Sequence, residues 1–243
     1  MAEVVDLSII IPAYREGDRI GKTLESLADY LSGHELGSIE VIVVIADSPD
    51  NTLKIAQSKK DLFKNFKIIQ PGSKMGKGRD VKSGILAASG TYKLFMDADL
   101  ATPLHHLETV KKLIEAGSIV GIGVRNLNQS HKGLRKFISS FGNRLVQLLL
   151  LPGIKDTQCG FKYFGAQAAD AIFKRQTIQG WGFDMEILAL AKKLGYKIDL
   201  IEIPDWQDIA GGSFRNVAVT GALQTFKDLL SIKFKLLLNR YKI

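Results

Sequence analysis

YKLFMDADLATP, residues Tyr92 to Pro103, sets a short, mostly apolar run against two carboxylates, Asp97 and Asp99, one residue apart before a proline turn. The run reads as a buried strand. Two acids at its exit repel each other and cost stability unless something positive sits between them.

The same alternation of strand and helix extends outward in both directions. VDLSIIIP, ending at Pro12, is a predicted strand, and Ile20, Leu24, Leu27 and Leu31 follow at helical spacing. EVIVVI (Glu40 to Ile45) is a second strand, NTLKIAQSK a short helix and FKIIQ a third strand. The loop PGSKMGKG then leads into a helix from about Arg79 to Ala88. After YKLFM come the helix PLHHLETVKKLIEA and a fifth strand, SIVGIGV. Near-continuous apolar strands alternating with helices predict an α/β fold with a parallel sheet covered on both faces. Ligands of such sheets bind beyond the carboxyl ends of the strands, where Asp97 and Asp99 stand.

The second half is less regular. GLRKFISSFGNRLVQLLLLPG is predicted helical, with Leu134, Phe137, Ile138, Phe141, Leu145 and Leu148 on one stripe. FDMEILALAKKLG is a helix ended by Gly195, KIDLIEIP a strand, and the chain from about Val217 a basic amphipathic helix. No repeat or linker interrupts this pattern, so a single domain over 1–243 is expected.

The 243 residues are 46% hydrophobic and 24% charged, enough to bury a core without covalent staples. The single cysteine, Cys159, cannot pair within the chain, so a reducing compartment is expected. A net charge of +8 points to an anionic partner: nucleic acid, an acidic membrane surface or a phosphorylated substrate. The basic residues are spread along the chain without a nucleic-acid motif, which argues against nucleic acid. Glu3 and Asp6 precede the first apolar run, which therefore does not read as a signal peptide. No apolar stretch reaches the ~20 residues that span a bilayer.

Two carboxylates at i, i+2 past a strand can share one divalent cation, and hard oxygen ligands suit Mg²⁺ or Mn²⁺. The competing reading is a solvated turn whose Asp caps the next helix. GSKMGKGRDVKSG gathers Lys74, Lys77, Arg79 and Lys82 among glycines before a helix, an arrangement suited to phosphate, although the Walker spacing is absent. IIIPAYRE and VVIADSPDNT end the first two strands with polar residues facing the same crevice, and each is also good turn chemistry. Zinc at His105 and His106 is not expected, because adjacent helical residues do not share a face. Cys159 reads as a packed thiol. Trp181 and Trp206 read as packing residues, with sugar stacking the other reading for Trp206.

PAYRE, SPDNT, KMGKG and DADLATP, in that order, resemble the inverting family 2 glycosyltransferases of the GT-A fold, which is Rossmann-like. DTQCGFKYF, GWGFDMEILALAKKLGYKI, and IPDW followed by GGSFRN resemble dolichyl- or polyprenyl-phosphate hexose synthases, leaning toward the glucose-transferring branch, whereas SPDNT is similar to the mannose-transferring one. The resemblance implies a nucleotide-sugar half, 1–125, and an acceptor half, 126–243. It implies a UDP-glucose or GDP-mannose donor and a polyprenyl phosphate acceptor. Pro12, Ala13, Tyr14, Glu16, Asp47 and Asp50 would line the nucleotide site, and Asp97 and Asp99 would hold the metal, Mg²⁺ or Mn²⁺. Lys77 and Arg79 would assist the diphosphate. Arg125 and Gln158 would face the sugar or acceptor phosphate, Asp184 and Glu186 would close the sugar side, and Arg135 and Arg215 would meet phosphate. The chain departs from the resembled pattern at Ile45 and Ala46, which stand where two adjacent acids are usual; Asp47 is the nearest replacement and Asp50 is retained.

A lipid phosphate is already anionic and needs cations more than a base; with a hydroxyl acceptor, Asp99 or Glu186 would be the base. Between Ser130 and Lys155 stand Lys132, Arg135, Lys136, Arg144 and Lys155 and no acid. The C-terminal helix sets Phe226, Leu230, Phe234 and Leu237 against Lys227, Lys233, Lys235, Arg240 and Lys242. Such helices suit an anionic membrane interface, each cation contributing roughly 1 kcal/mol, or else pack on the core with solvated basic faces. The expected setting is peripheral, on the cytoplasmic face of a membrane, held by anionic lipid or by an anchoring subunit. The alternatives are a glycosyltransferase with a soluble or cell-surface hydroxyl acceptor and a non-catalytic scaffold of the same fold.

Overall fold

The computed structural model describes residues 5–125, 144–207 and 218–243. A seven-stranded sheet runs in the order β3-β2-β1-β4-β6-β5-β7. Its first half is β1 (Leu7–Ala13), β2 (Ile39–Ile45), β3 (Asn65–Ile69) and β4 (Tyr92–Met96), all parallel. The second half is β5 (Val120–Arg125), β6 (Phe161–Gly165) and β7 (Ile198–Ile203). Only β6 runs against its neighbours, between β4 and β5. The mostly parallel α/β sheet expected from the strand–helix alternation is present.

Period-2 side-chain alternation divides the apolar strand residues between two cores. Ile9, Ile11, Val41, Val43, Leu94 and Met96 pack on one face with Leu24 and Leu27 of α1 (Ile20–Ser32) and Val110 of α4 (His106–Glu115). Ile10, Ile42, Val44 and Phe95 face the other way, onto Val81 and Ile85 of α3 (Lys77–Ala87) and Phe183, Ile187 and Leu190 of α6 (Phe183–Lys193). A short α2 (Thr52–Ser58) follows β2. Gly195, at φ 84°, ends the turn after α6 as anticipated.

Two elements were not read from the sequence. β6 is five residues long, and Lys162 interrupts its apolar run. α5 (Ala166–Arg175) follows it directly, burying Ala168, Ala169, Ile172 and Phe173. Of the predicted helix over Gly133 to Gly153, only 144–149 is helical among the described residues; Leu145 packs on the core whereas Leu148 is exposed. The stripe residues Leu134, Phe137, Ile138 and Phe141 lie outside the described residues. The C-terminal helix α7 (Ala218–Leu237) begins one residue after the expected start.

Candidate active site

The exit of β4 is clamped on both sides. Asp97 donates its backbone N–H to Gly160 O (3.1 Å), and Thr23 of α1 donates its hydroxyl to Ala98 O (2.5 Å). Asp99 Oδ1 accepts the Ala101 N–H (3.0 Å). Gly160 cannot carry a side chain, because a Cβ there would collide with the Asp97 carboxylate. That close approach fixes Asp97 at the crevice floor. Lys77, the first residue of α3, pairs through Nζ with Asp97 Oδ1. The backbone enters α3 through Gly76 at φ 135°, a conformation other residues rarely adopt, and this entry delivers Lys77 to the crevice.

Electrostatics join the β1 and β4 exits. Burial raises the pKa of Asp99, and the charge of Asp97 raises it further. Burial also raises that of Glu16; the ion pair with Arg19 (2.7 Å) opposes the shift, while Asp99 and Asp97 add to it. Three carboxylates thus feel one another across a single crevice. The donor set is oxygen only and cradled by a glycine, with Lys77 and Arg19 offsetting part of its negative charge. A hard divalent cation fits it.

Behind the crevice lies a ladder of alternating charge. Lys162 of β6 and Asp184 of α6 are fully buried and paired at 2.5 Å. Lys162 also donates to Cys159 O (2.5 Å) and lies 5.3 Å from the Phe95 ring centroid. Burial depresses the pKa of Lys77, but Asp97 and Asp184 outweigh it and raise the value overall. For Asp184, burial raises the pKa and outweighs the opposing charges of Lys162 and Lys77. Two ion pairs, Asp97 with Lys77 and Asp184 with Lys162, are thus coupled through the mutual charge of Lys77 and Asp184. Sequence reading missed Lys162; its signal is a lysine flanked by Phe161 and Tyr163 in an otherwise apolar strand.

Arg125, at the end of β5, is engaged with Asp156 through Nε (2.7 Å), Nη2 (3.0 Å) and its backbone N–H (3.1 Å). Burial opposes charge on both, but the pairing raises the pKa of Arg125 and lowers that of Asp156. Gln158 donates its backbone N–H to the same carboxylate (3.1 Å), and the Arg125 guanidinium stands 5.0 Å over Trp206. Asp156 is a second residue missed in the sequence; it anchors both Arg125 and Gln158. Cys159 is buried, and burial pushes its thiol up to about 11, as a packed thiol requires.

On the β2 side, Asp50 acts as a staple between loops. It accepts the Gly17 N–H (3.0 Å), the hydroxyls of Ser48 (2.7 Å) and Thr52 (2.6 Å), and the Thr52 N–H (3.2 Å). Against burial, these bonds pull its pKa down to about 2. Thr52 in turn accepts the Glu16 N–H (2.9 Å), and Ser48 accepts the N–H of Arg15 (2.9 Å), which sits at φ 58°. Pro12 and Ala13 end β1 beneath this turn, and Lys74 reaches 3.9 Å over the ring of Tyr14. Ile45, the last residue of β2, and Ala46 after it are both buried, whereas Asp47 is exposed and donates its N–H to Gly72 O (2.9 Å).

Three residues expected to meet substrate have their contacts elsewhere. Asp50 is committed to the staple just described. Arg79 binds Pro71 O (3.1 Å), Gly72 O (3.3 Å) and Asp80 (3.2 Å), bracing the basic loop. Glu186 is not gathered into the crevice with Asp184. It accepts bonds from Thr177 Oγ1 (2.6 Å), Thr177 N (3.0 Å), Ile178 N (2.7 Å) and Tyr241 Oη (2.7 Å), bolting α6 to the C-terminus. Two residues apart on a helix, Asp184 and Glu186 face different surroundings. Arg135 and Arg215 lie outside the described residues.

The Glycosyl transferase family 2 model matches residues 8–173. The chain is 34% identical over 253 residues to a dolichyl-phosphate beta-glucosyltransferase of Dictyostelium discoideum, covering 98% of this chain and 76% of the relative. It is 34% identical over 266 residues to the dolichyl-phosphate beta-glucosyltransferase of Saccharomyces cerevisiae, covering 99% and 78%. Among solved structures, glucosyl-3-phosphoglycerate synthase from Mycobacterium tuberculosis, in complex with Mn²⁺, UDP-glucose and phosphoglyceric acid, superposes with a TM-score of 0.72 at 17% identity, covering 94% of this chain and 80% of that one. At that identity, the likeness concerns the fold.

Proposed function

Because this chain belongs to glycosyl transferase family 2, we propose that it moves glucose, with inversion, from UDP-glucose to dolichyl or another polyprenyl phosphate. The observation that carries the reading is the near-full-length identity to proteins named for this glucosyl transfer, over a span that includes the clamped Asp97 and Asp99 crevice. Asp97 and Asp99 would hold a Mg²⁺ or Mn²⁺ ion, which supplies positive charge to the diphosphate when bound.

The chain's own residues account for the rest. Tyr14, Glu16 and Lys74 line the β1 side, where the nucleotide enters. Lys77 sits between Asp97 and Asp184, so its ammonium is held at the crevice and charged, ready to stabilise negative charge on the leaving diphosphate. Lys162 holds Asp184, whose negative charge in turn favours the ammonium form of Lys77. An acceptor phosphate is already ionised, so transfer needs no proton abstracted. It needs positioning, and Arg125, oriented by Asp156 and Trp206, stands on the acceptor side.

The test is a transfer assay with UDP-glucose and GDP-mannose as donors, and a short polyprenyl phosphate and a sugar alcohol as acceptors. Glucosyl polyprenyl phosphate is the expected product. Transfer to the alcohol alone would replace the lipid reading with the hydroxyl-acceptor one, and no turnover on any pair would favour a scaffold.

The lipid acceptor places the protein at a membrane, and α7 has the surface for it. Leu229 and Ile232 pack inward, while Leu223, Phe226, Leu230, Phe234 and Leu237 form an exposed outer stripe. Phe234 is 61% and Leu237 71% exposed, and exposed Lys227, Arg240 and Lys242 stand beside them. No helix among the described residues is long and apolar enough to cross a membrane. The proposed setting is therefore in-plane binding on the cytoplasmic face, where nucleotide sugars and anionic lipid meet. Sedimentation with anionic vesicles at low salt is expected to retain the protein. Phe226→Glu with Phe234→Glu should weaken retention by more than about tenfold, since each ring is worth roughly 1.5–3 kcal/mol when buried. Equal retention of both proteins would exclude this face.

A further inference from the structure

Away from the crevice floor, His105, His106 and Asp205 converge. His106 Nε2 lies 2.8 Å from Asp205 Oδ1, and His105 Nε2 lies 3.3 Å from Asp205 Oδ2. The three candidate ligand atoms are all within 4.8 Å of one another. Side chains of adjacent helical residues ordinarily diverge. His105 caps α4 with helical backbone angles, and the two rings nevertheless lie with centroids 4.3 Å apart, tilted by 36°. Both Nε2 atoms therefore reach one carboxylate, supplied by the chain just after β7, 99 residues away from His106.

We propose that His105, His106 and Asp205 form a second metal site, one that takes Zn²⁺ or a similar borderline ion. Tetrahedral zinc with bonds of about 2.0–2.2 Å separates its ligand atoms by roughly 3.3–3.6 Å; the 3.3 Å from His105 Nε2 to Asp205 Oδ2 meets this, and the 2.8 Å hydrogen bond from His106 to Oδ1 would open by about half an ångström as the ion replaces its proton. Water completes the fourth position on the exposed side of His105. Imidazole nitrogen selects this ion class, whereas the oxygen-only pair Asp97 and Asp99 selects Mg²⁺ or Mn²⁺, so the two sites differ in chemistry as well as in place. The bound ion would join the start of α4 to the exit of β7. From that exit Trp206 faces Arg125, and Gln207 donates its N–H to Ala101 O (3.0 Å) beside the Asp97–Asp99 turn. The ion is thus a brace for the crevice wall.

Zinc titration of the tag-free chain, by competition with a chromophoric chelator and by native mass spectrometry, tests the assignment. One Zn²⁺ per chain is expected in the parent and in Asp97→Asn with Asp99→Asn. In His105→Ala and in Asp205→Asn, affinity should fall by more than about 100-fold, beyond the cost of losing an outer partner. His105 is 57% exposed at its side chain, so its replacement leaves the fold intact, which circular dichroism verifies. The proposal is overturned by undiminished zinc binding in both single variants, by zinc lost only with Asp97 and Asp99, or by no saturable binding in the parent.

Discussion

Asp97→Asn and Asp99→Asn are each expected to lower kcat for glucosyl transfer by about 10²–10³, the usual cost of removing one well-placed electrostatic group from a charge-developing site. Asn keeps the shape of the side chain, and at position 99 its carbonyl oxygen can still accept the Ala101 N–H. The fold should therefore persist. Stability should hold or rise in Asp99→Asn, because burial and the neighbouring Asp97 already disfavour the charged form of Asp99. Loss of turnover with an unchanged or higher Tm separates a catalytic defect from unfolding. Mn²⁺ affinity measured by electron paramagnetic resonance should fall in the same variants. Full turnover in both would defeat the assignment of the pair as metal ligands.

The second large effect is on stability. Lys162→Met leaves Asp184 buried without its 2.5 Å partner, and breaking a buried ion pair from one side typically costs about 3–5 kcal/mol. Denaturant unfolding measures it. Replacing both partners, Lys162→Met with Asp184→Leu, should recover most of that loss, because a well-packed apolar pair avoids the desolvation penalty. Turnover should not recover, since Lys77 then lacks the second carboxylate that keeps its ammonium charged and placed. A double variant with full activity would reduce the ladder behind the crevice to packing alone. A single variant as stable as the parent would remove the ion pair from the account of stability.

The site was legible where function coincides with a strand end. YKLFM marks β4, and the two acids that follow it have no apolar reason to be there. The order of PAYRE, KMGKG and DADLATP along the chain was enough to find the family, which nearly full-length relatives then support. Partners chosen across the sheet were not legible. Nothing local to FKYFG predicts that β6 inserts antiparallel between β4 and β5, carrying a lysine into the interior to meet Asp184. The family resemblance implied substrate roles for Asp50, Arg79 and Glu186. In the structure their polar contacts go to backbone, hydroxyl and, for Arg79, the Asp80 carboxylate of neighbouring segments, which no local sequence signal foretold.

The sequence alone determined every strand but β6, and that two carboxylates emerge where the sheet's ligands bind, because periodicity and residue type are local properties. Only the tertiary structure decided which charges answer one another: Lys77 against Asp97, Lys162 against Asp184, His105 and His106 against Asp205. The reason is reach. A charged side chain acts over a few ångströms of space, and chain separation carries no record of which distant residue will fill that space.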